Sequence, residues 1–146
     1  MFGDFLRRLT APEPTRLVDE DARLALTALL VRVARSDGHY AEAEIAQIDD
    51  AMTKRYGLTQ SQMSALRADA ETLETEAPDT QRFTRAIKQA VAYDDRLAVI
   101  EALWAVVLAD GTRAKEEDAL LRLVAGLLGI EDRDSALARQ RVDRRG

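Results

Sequence analysis

Hydrophobic residues recur at the helical period of 3.6 along most of the chain, and two stretches are apolar on nearly every side. Residues 17–35 thicken toward Leu24, Leu26, Leu29, Leu30, Val31 and Val33, while residues 97–109 carry Leu97, Val99, Ile100, Leu103, Trp104 and Val107. A helix without a polar face is a buried helix. Around this pair the period predicts amphipathic helices from about residue 41 to Gly57, from Thr59 onward, and from Pro78-Asp79 to about Tyr93. Two more are expected at about 114–128 and 132–142. Their expected inward stripes are Ile45, Ile48 and Met52, then Phe83, Ile87 and Val91, then Leu120, Leu121, Val124 and Leu127. The helix after Thr59 holds Met63, Leu66 and Leu73 among many acids, so it is expected to lie superficially.

Local signals punctuate this pattern. Thr59 and Gln62 fit a capping box, Gly57 and Gly129 fit helix stops, and Asp94 or Asp95 is placed to cap the second apolar helix. Residues 1–10 form a short amphipathic helix with Phe2, Phe5, Leu6 and Leu9 on one face and Arg7 and Arg8 beside it. That face can dock on the domain or rest on a membrane surface. Residues 11–16, with Pro12 and Pro14, read as a stiff linker. Nothing alternates as a strand does. The expected fold is all-α, one bundle of seven or eight helices: a domain over 17–131, then a C-terminal helix and basic tail over 132–146 that frays after Val142.

Composition narrows the chemistry. The chain has 146 residues, no cysteine and one histidine. Disulfides, thiolate catalysis, iron–sulfur clusters and Cys-based or multi-His zinc sites are excluded. A net charge of −5 disfavours nucleic acid as the main partner. No apolar run reaches bilayer-spanning length, and the N-terminus lacks a signal-peptide core. The expected compartment is the cytoplasm, with membrane association an open alternative. Lys54, Lys88 and Lys115 are the only lysines among 21 basic residues, which reads as compositional bias.

An internal repeat carries the candidate chemistry. Asp37 and Asp110 stand 73 positions apart, and the same offset relates Gly38 to Gly111, Ala41 to Ala114, Glu44 to Glu117 and Ile48 to Leu121. With one gap, Gly57-Leu58 matches Gly129-Ile130. The units, about 24–58 and 97–130, are expected to pack about a pseudo-two-fold axis with the two apolar helices against each other. Each contains Asp-Gly-x5-Glu, the end of an EF-hand loop. The upstream EF-hand positions hold Val33, Arg35, Val106 and Leu108, which cannot replace oxygen ligands, so an EF-hand is excluded.

Two readings of the acids stand side by side. If the two turns converge, Asp37, Glu44, Asp110 and Glu117 form a site for a hard divalent cation such as Ca²⁺ or Mg²⁺. Alternatively Gly38 and Gly111 supply left-handed turn residues, the aspartates accept backbone N–H groups, and the glutamates favour the helix starts. His39 reads as a solvated turn residue, Trp104 and Tyr93 as core, and Arg139, Arg141, Arg144 and Arg145 as a solvated basic end. No phosphate loop or catalytic pair stands out, so the chain reads as non-enzymatic.

The doubled Asp-Gly-x5-Glu, each copy after a hydrophobic helix, resembles the TerB-like tellurite-resistance family. The segments are Ala34 to Glu44 and Leu108 to Glu117, with a Leu-Gly-Ile stop at Leu128 to Ile130. The resemblance covers roughly residues 17–130. It implies an all-helical domain with internal symmetry, an acidic cation site, a role in tellurite or stress response, and a protein partner within membrane-associated assemblies. J-domain co-chaperone relatives of that family carry His-Pro-Asp, which this sequence lacks. The second functional reading is an adaptor for a protein or the membrane periphery, docking through Phe2, Phe5, Leu6 and Leu9.

Overall fold

Eight helices account for the described part of the chain, and the second is the hub on which most of the others pack. The computed structural model describes residues 2–9, 19–36, 38, 40–77, 79–108 and 115–145, with the side chains at 8, 9, 19, 106–108, 115–118, 120 and 143–145 outside the description. The elements are α1 (Gly3–Leu9), α2 (Asp19–Ala34), α3 (Glu42–Tyr56), α4 (Gln60–Glu76), α5 (Thr80–Ala90), α6 (Tyr93–Leu108), α7 (Lys115–Leu127) and α8 (Asp132–Arg145). No strand occurs among the described residues. The fold is all-α, and the expected linker over 11–16 lies outside the described residues.

Helix α2 touches α3, α4, α5, α6 and α7, which is why its sequence has no polar face. Leu26, Leu29, Leu30 and Val31 are fully buried. Thr27 is tolerated among them because its hydroxyl donates to the Arg23 carbonyl at 2.6 Å, leaving no buried donor unsatisfied. The second apolar helix, α6, packs against α2, α3, α7 and α8, with Val99, Ile100 and Leu103 fully buried. The two apolar helices therefore meet in the core, as their composition demands.

Helix ends follow local chemistry. Thr59 and Gln62 form the expected reciprocal capping box, at 3.1 and 2.9 Å. Gly57 and Gly129 adopt left-handed φ values of 63° and 73° and end α3 and α7. At Gly129 the Schellman pair is complete: Ile130 N–H donates to the Ala125 carbonyl at 2.9 Å and Gly129 N–H to Gly126 at 3.0 Å.

Three details depart from the sequence pattern. Helix α5 stops at Ala90, because Val91 turns extended (φ −123°, ψ 137°) and buries its side chain. Asp94 and Asp95 consequently lie inside the first turn of α6 and do not cap it. Helix α4 exposes Asp69 and Glu76 yet lies along α2, burying Met63, Ala70 and Leu73 and half-burying Glu71 and Glu74. Helix α8 continues to Arg145, three residues past the expected end. Its packing on α6 holds it, with Ala138 fully buried, Arg139 over the Trp104 ring at 5.3 Å and Arg141 paired with Glu101 at 3.5 Å.

The arginine bias has a structural role. Arg32, in the last turn of α2, donates to the carbonyls of Glu74 and Ala77 at the end of α4, at 3.1 and 3.5 Å. Arg96 bonds the Val91 carbonyl at 3.0 Å and also the Leu128 carbonyl at the end of α7. A planar fork with several donors serves two carbonyls at once, which a lysine ammonium does less well.

Candidate functional site

The first Asp-Gly turn links α2 to α3. After Ala34 the chain tightens, with Ser36 Oγ donating to the Val33 carbonyl at 2.7 Å and Gly38 N–H to the Arg35 carbonyl at 3.1 Å. Gly38 has φ 82°, the left-handed conformation that its sequence position implied. Ala41 is extended (φ −71°, ψ 149°), and α3 starts at the next residue.

Glu44 is the decisive side chain of this turn. It is only 1% exposed, and its Oε1 accepts the Ala41 N–H at 3.3 Å. That bond is the glutamate half of a capping box, since alanine has no side-chain acceptor to offer in return. The buried face of α3 is Glu44, Ile48 and Met52, while Ile45 is only half-buried. Reading the stripe from Ile45 therefore missed a carboxylate in the core. The available signal was register, because Glu44 stands four residues before Ile48 and eight before Met52.

Arg35 and Tyr40 stand on either side of the turn and tie it to α4. The Arg35 guanidinium lies 5.0 Å from the centre of the Tyr40 ring, donates to the Glu71 carbonyl at 3.4 Å and pairs with Glu74 at 3.6 Å. Burial, and after it the neighbouring Glu71 carboxylate, push the Tyr40 phenol up from its ordinary value.

Of the four acids singled out by sequence, the structure describes one side chain, that of Glu44. Asp37 and Asp110 lie outside the described residues, as do Gly111 and His39; Glu117 lies on the first turn of α7, its side chain outside the description. Among the described residues no group of three His, Cys, Asp or Glu side chains gathers as metal ligands do.

The family model described as tellurite resistance protein TerB matches residues 23–140. The chain belongs to the TerB family. No curated protein and no solved structure matches it. The match runs from the start of α2 into α8 and leaves α1 outside.

In this TerB domain the aromatic candidates are occupied structurally. Trp104 is 3% exposed and its Nε1–H donates to Ser135 Oγ at 3.3 Å. The Tyr93 hydroxyl donates to Asp134 Oδ2 at 2.5 Å. Helix α1 turns its apolar face onto α5: Phe5 is 7% exposed, and Phe2 and Leu6 pack partly buried against the core. Phe2 N–H also donates to Glu76 Oε2 at 3.1 Å. No described helix is long and apolar enough to cross a membrane.

Proposed function

We propose that this TerB domain is a non-enzymatic cytoplasmic module that binds a hard divalent cation, Ca²⁺ or Mg²⁺, in a tellurite- or stress-response setting. Asp37, Glu44, Asp110 and Glu117 are the proposed ligands. The observation that supports this reading is the burial of Glu44 at the end of the first motif. A carboxylate at 1% exposure has lost its hydration, and a bound cation is one of the few groups that restores that energy. Asp37 and Glu44 stand seven positions apart in the sequence, on either side of Gly38.

A second reading has its own observation. The Glu44 bond to Ala41 N–H is what a pure helix cap would make, and in that case the domain acts as an adaptor for a protein partner. Thermal unfolding of chelator-treated protein, with and without millimolar Ca²⁺, Mg²⁺, Mn²⁺ and Zn²⁺, separates the two. Cation at about 100 times its dissociation constant adds about 2.7 kcal/mol, or about 5–10 °C at this size. A shift of that order with one hard cation, lost on Asp37→Ala with Asp110→Ala, supports the site. No shift with any ion leaves capping as the function of the motifs.

A further inference from the structure

Half-buried arginines of this fold exchange lost water for a protein acceptor. Arg32 and Arg96 bond carbonyl groups, Arg35 pairs with Glu74, and Arg67 pairs with Asp49. Arg23, half-buried on α2, departs from that pattern. Its Nε–H is buried and meets no acceptor, and among the described residues no ion pair or hydrogen bond engages its guanidinium. Its two Nη groups are not buried with it, so the outer edge of the fork stays open. Glu20 and Asp21, beside it on the helix, do not pair with it. The guanidinium instead lies over the Tyr56 ring at 4.9 Å, and Arg55 lies over the same ring at 5.8 Å. Arg55 pairs with Asp95 in the first turn of α6. Where α2, α3 and α6 meet, two cations therefore share one aromatic ring and one paired carboxylate.

We propose that Arg23, with Arg55 and Tyr56, binds the carboxylate of a small organic acid. A half-buried guanidinium without an acceptor carries a desolvation cost that a bound oxyanion offsets. The ring orients the fork by a cation–π contact, and the two open Nη groups match the two oxygens of a carboxylate. Asp95 already balances one of the two cations, which leaves one positive charge for one negative charge. Glu20, Asp21 and Asp94 stand close by in sequence to Arg23 or Asp95, and their charges oppose a phosphate dianion more than a carboxylate. Tyr56 and Glu44 stand at opposite ends of α3, about 18 Å apart along its axis. The carboxylate site is therefore independent of the proposed cation site.

NMR of the arginine Nε–H groups and backbone amides of the full chain is the test, with sodium acetate as the probe. Acetate is titrated to about 0.1 M against sodium chloride at constant ionic strength, which removes general screening from the comparison. The Arg23 Nε–H signal, assigned by its loss in Arg23→Lys, shifts and saturates with a midpoint on the order of 10 mM. The amides of Arg55 and Tyr56 shift with the same midpoint, and chloride moves none of these signals. Arg23→Lys keeps the charge, loses the fork and weakens the amide response at least tenfold, with Tm confirming that the variant is folded. Tyr56→Phe retains binding because it retains the ring, and Arg133→Gln removes an exposed cation of α8 and leaves binding intact. The proposal is overturned if acetate gives the unaltered protein no saturable shift, or if Arg23→Lys binds as well as the unaltered protein. It is also overturned if inorganic phosphate at neutral pH binds more tightly than acetate, or if Arg133→Gln weakens binding as Arg23→Lys does.

Discussion

Arg32 leaves the apolar helix α2 and donates to the Glu74 carbonyl at 3.1 Å, capping α4 from a half-buried position. It also lies over the Phe83 ring at 5.5 Å, so one cation joins α2, α4 and α5. Arg32→Met keeps the apolar stem and removes the donors. Hydrogen bonds from charged groups contribute about 1.5–3 kcal/mol each, so a loss of about 2 kcal/mol is expected. Urea unfolding monitored at Trp104 measures it, and Arg32→Lys recovers less than half.

The glycines predict effects of opposite sign. Gly57 is left-handed at φ 63°, so Gly57→Ala costs about 1 kcal/mol. Gly129→Ala carries the same backbone strain, and its new Cβ also lies 2.9 Å from Lys88 Cε, which must move aside. Gly126 is helical, with nothing within 4 Å of an added Cβ, so Gly126→Ala stabilises by about 0.5–1 kcal/mol. Denaturant midpoints of the three variants give the signs directly.

Alkaline pH destabilises the fold through two tyrosines. The Tyr93 phenol is raised by its hydrogen bond to the Asp134 carboxylate, then by burial, and Tyr40 is raised by burial, then by Glu71. A raised phenol binds its proton more tightly in the folded state. Its stabilisation is complete below the ordinary value near 10.0 and is lost as pH rises beyond it. Unfolding free energies between neutral pH and strong alkali should decline above that point. The decline should be shallower in Tyr40→Phe.

Glu44 separates capping from cation binding. The substitution Glu44→Gln retains a side-chain acceptor for Ala41 N–H, so the chelated variant should unfold within about 1 kcal/mol of the unaltered protein. The cation-induced rise in Tm should fall, because a neutral amide is a weaker ligand for a hard ion. An undiminished rise would remove Glu44 from the proposed ligand set.

Much of this architecture was legible from near neighbours in the chain. The period of 3.6 set the helices, the all-round apolar stretches marked α2 and α6 as core, and Gly57, Gly129 and the Thr59–Gln62 box marked ends whose chemistry lies within a few residues. Tandem Asp-Gly-x5-Glu motifs likewise pointed to the family that the match over 23–140 establishes. Contacts distant in sequence were decided elsewhere. Val91 ends α5 because a buried place for its side chain exists only once the bundle has formed. Arg32 and Arg96 find carbonyls 42 and 32 residues away, which no local pattern encodes. Glu44 enters the core because rotation of α3 against its neighbours sets which residues face inward, and that rotation is chosen by packing the whole surface of α3 at once.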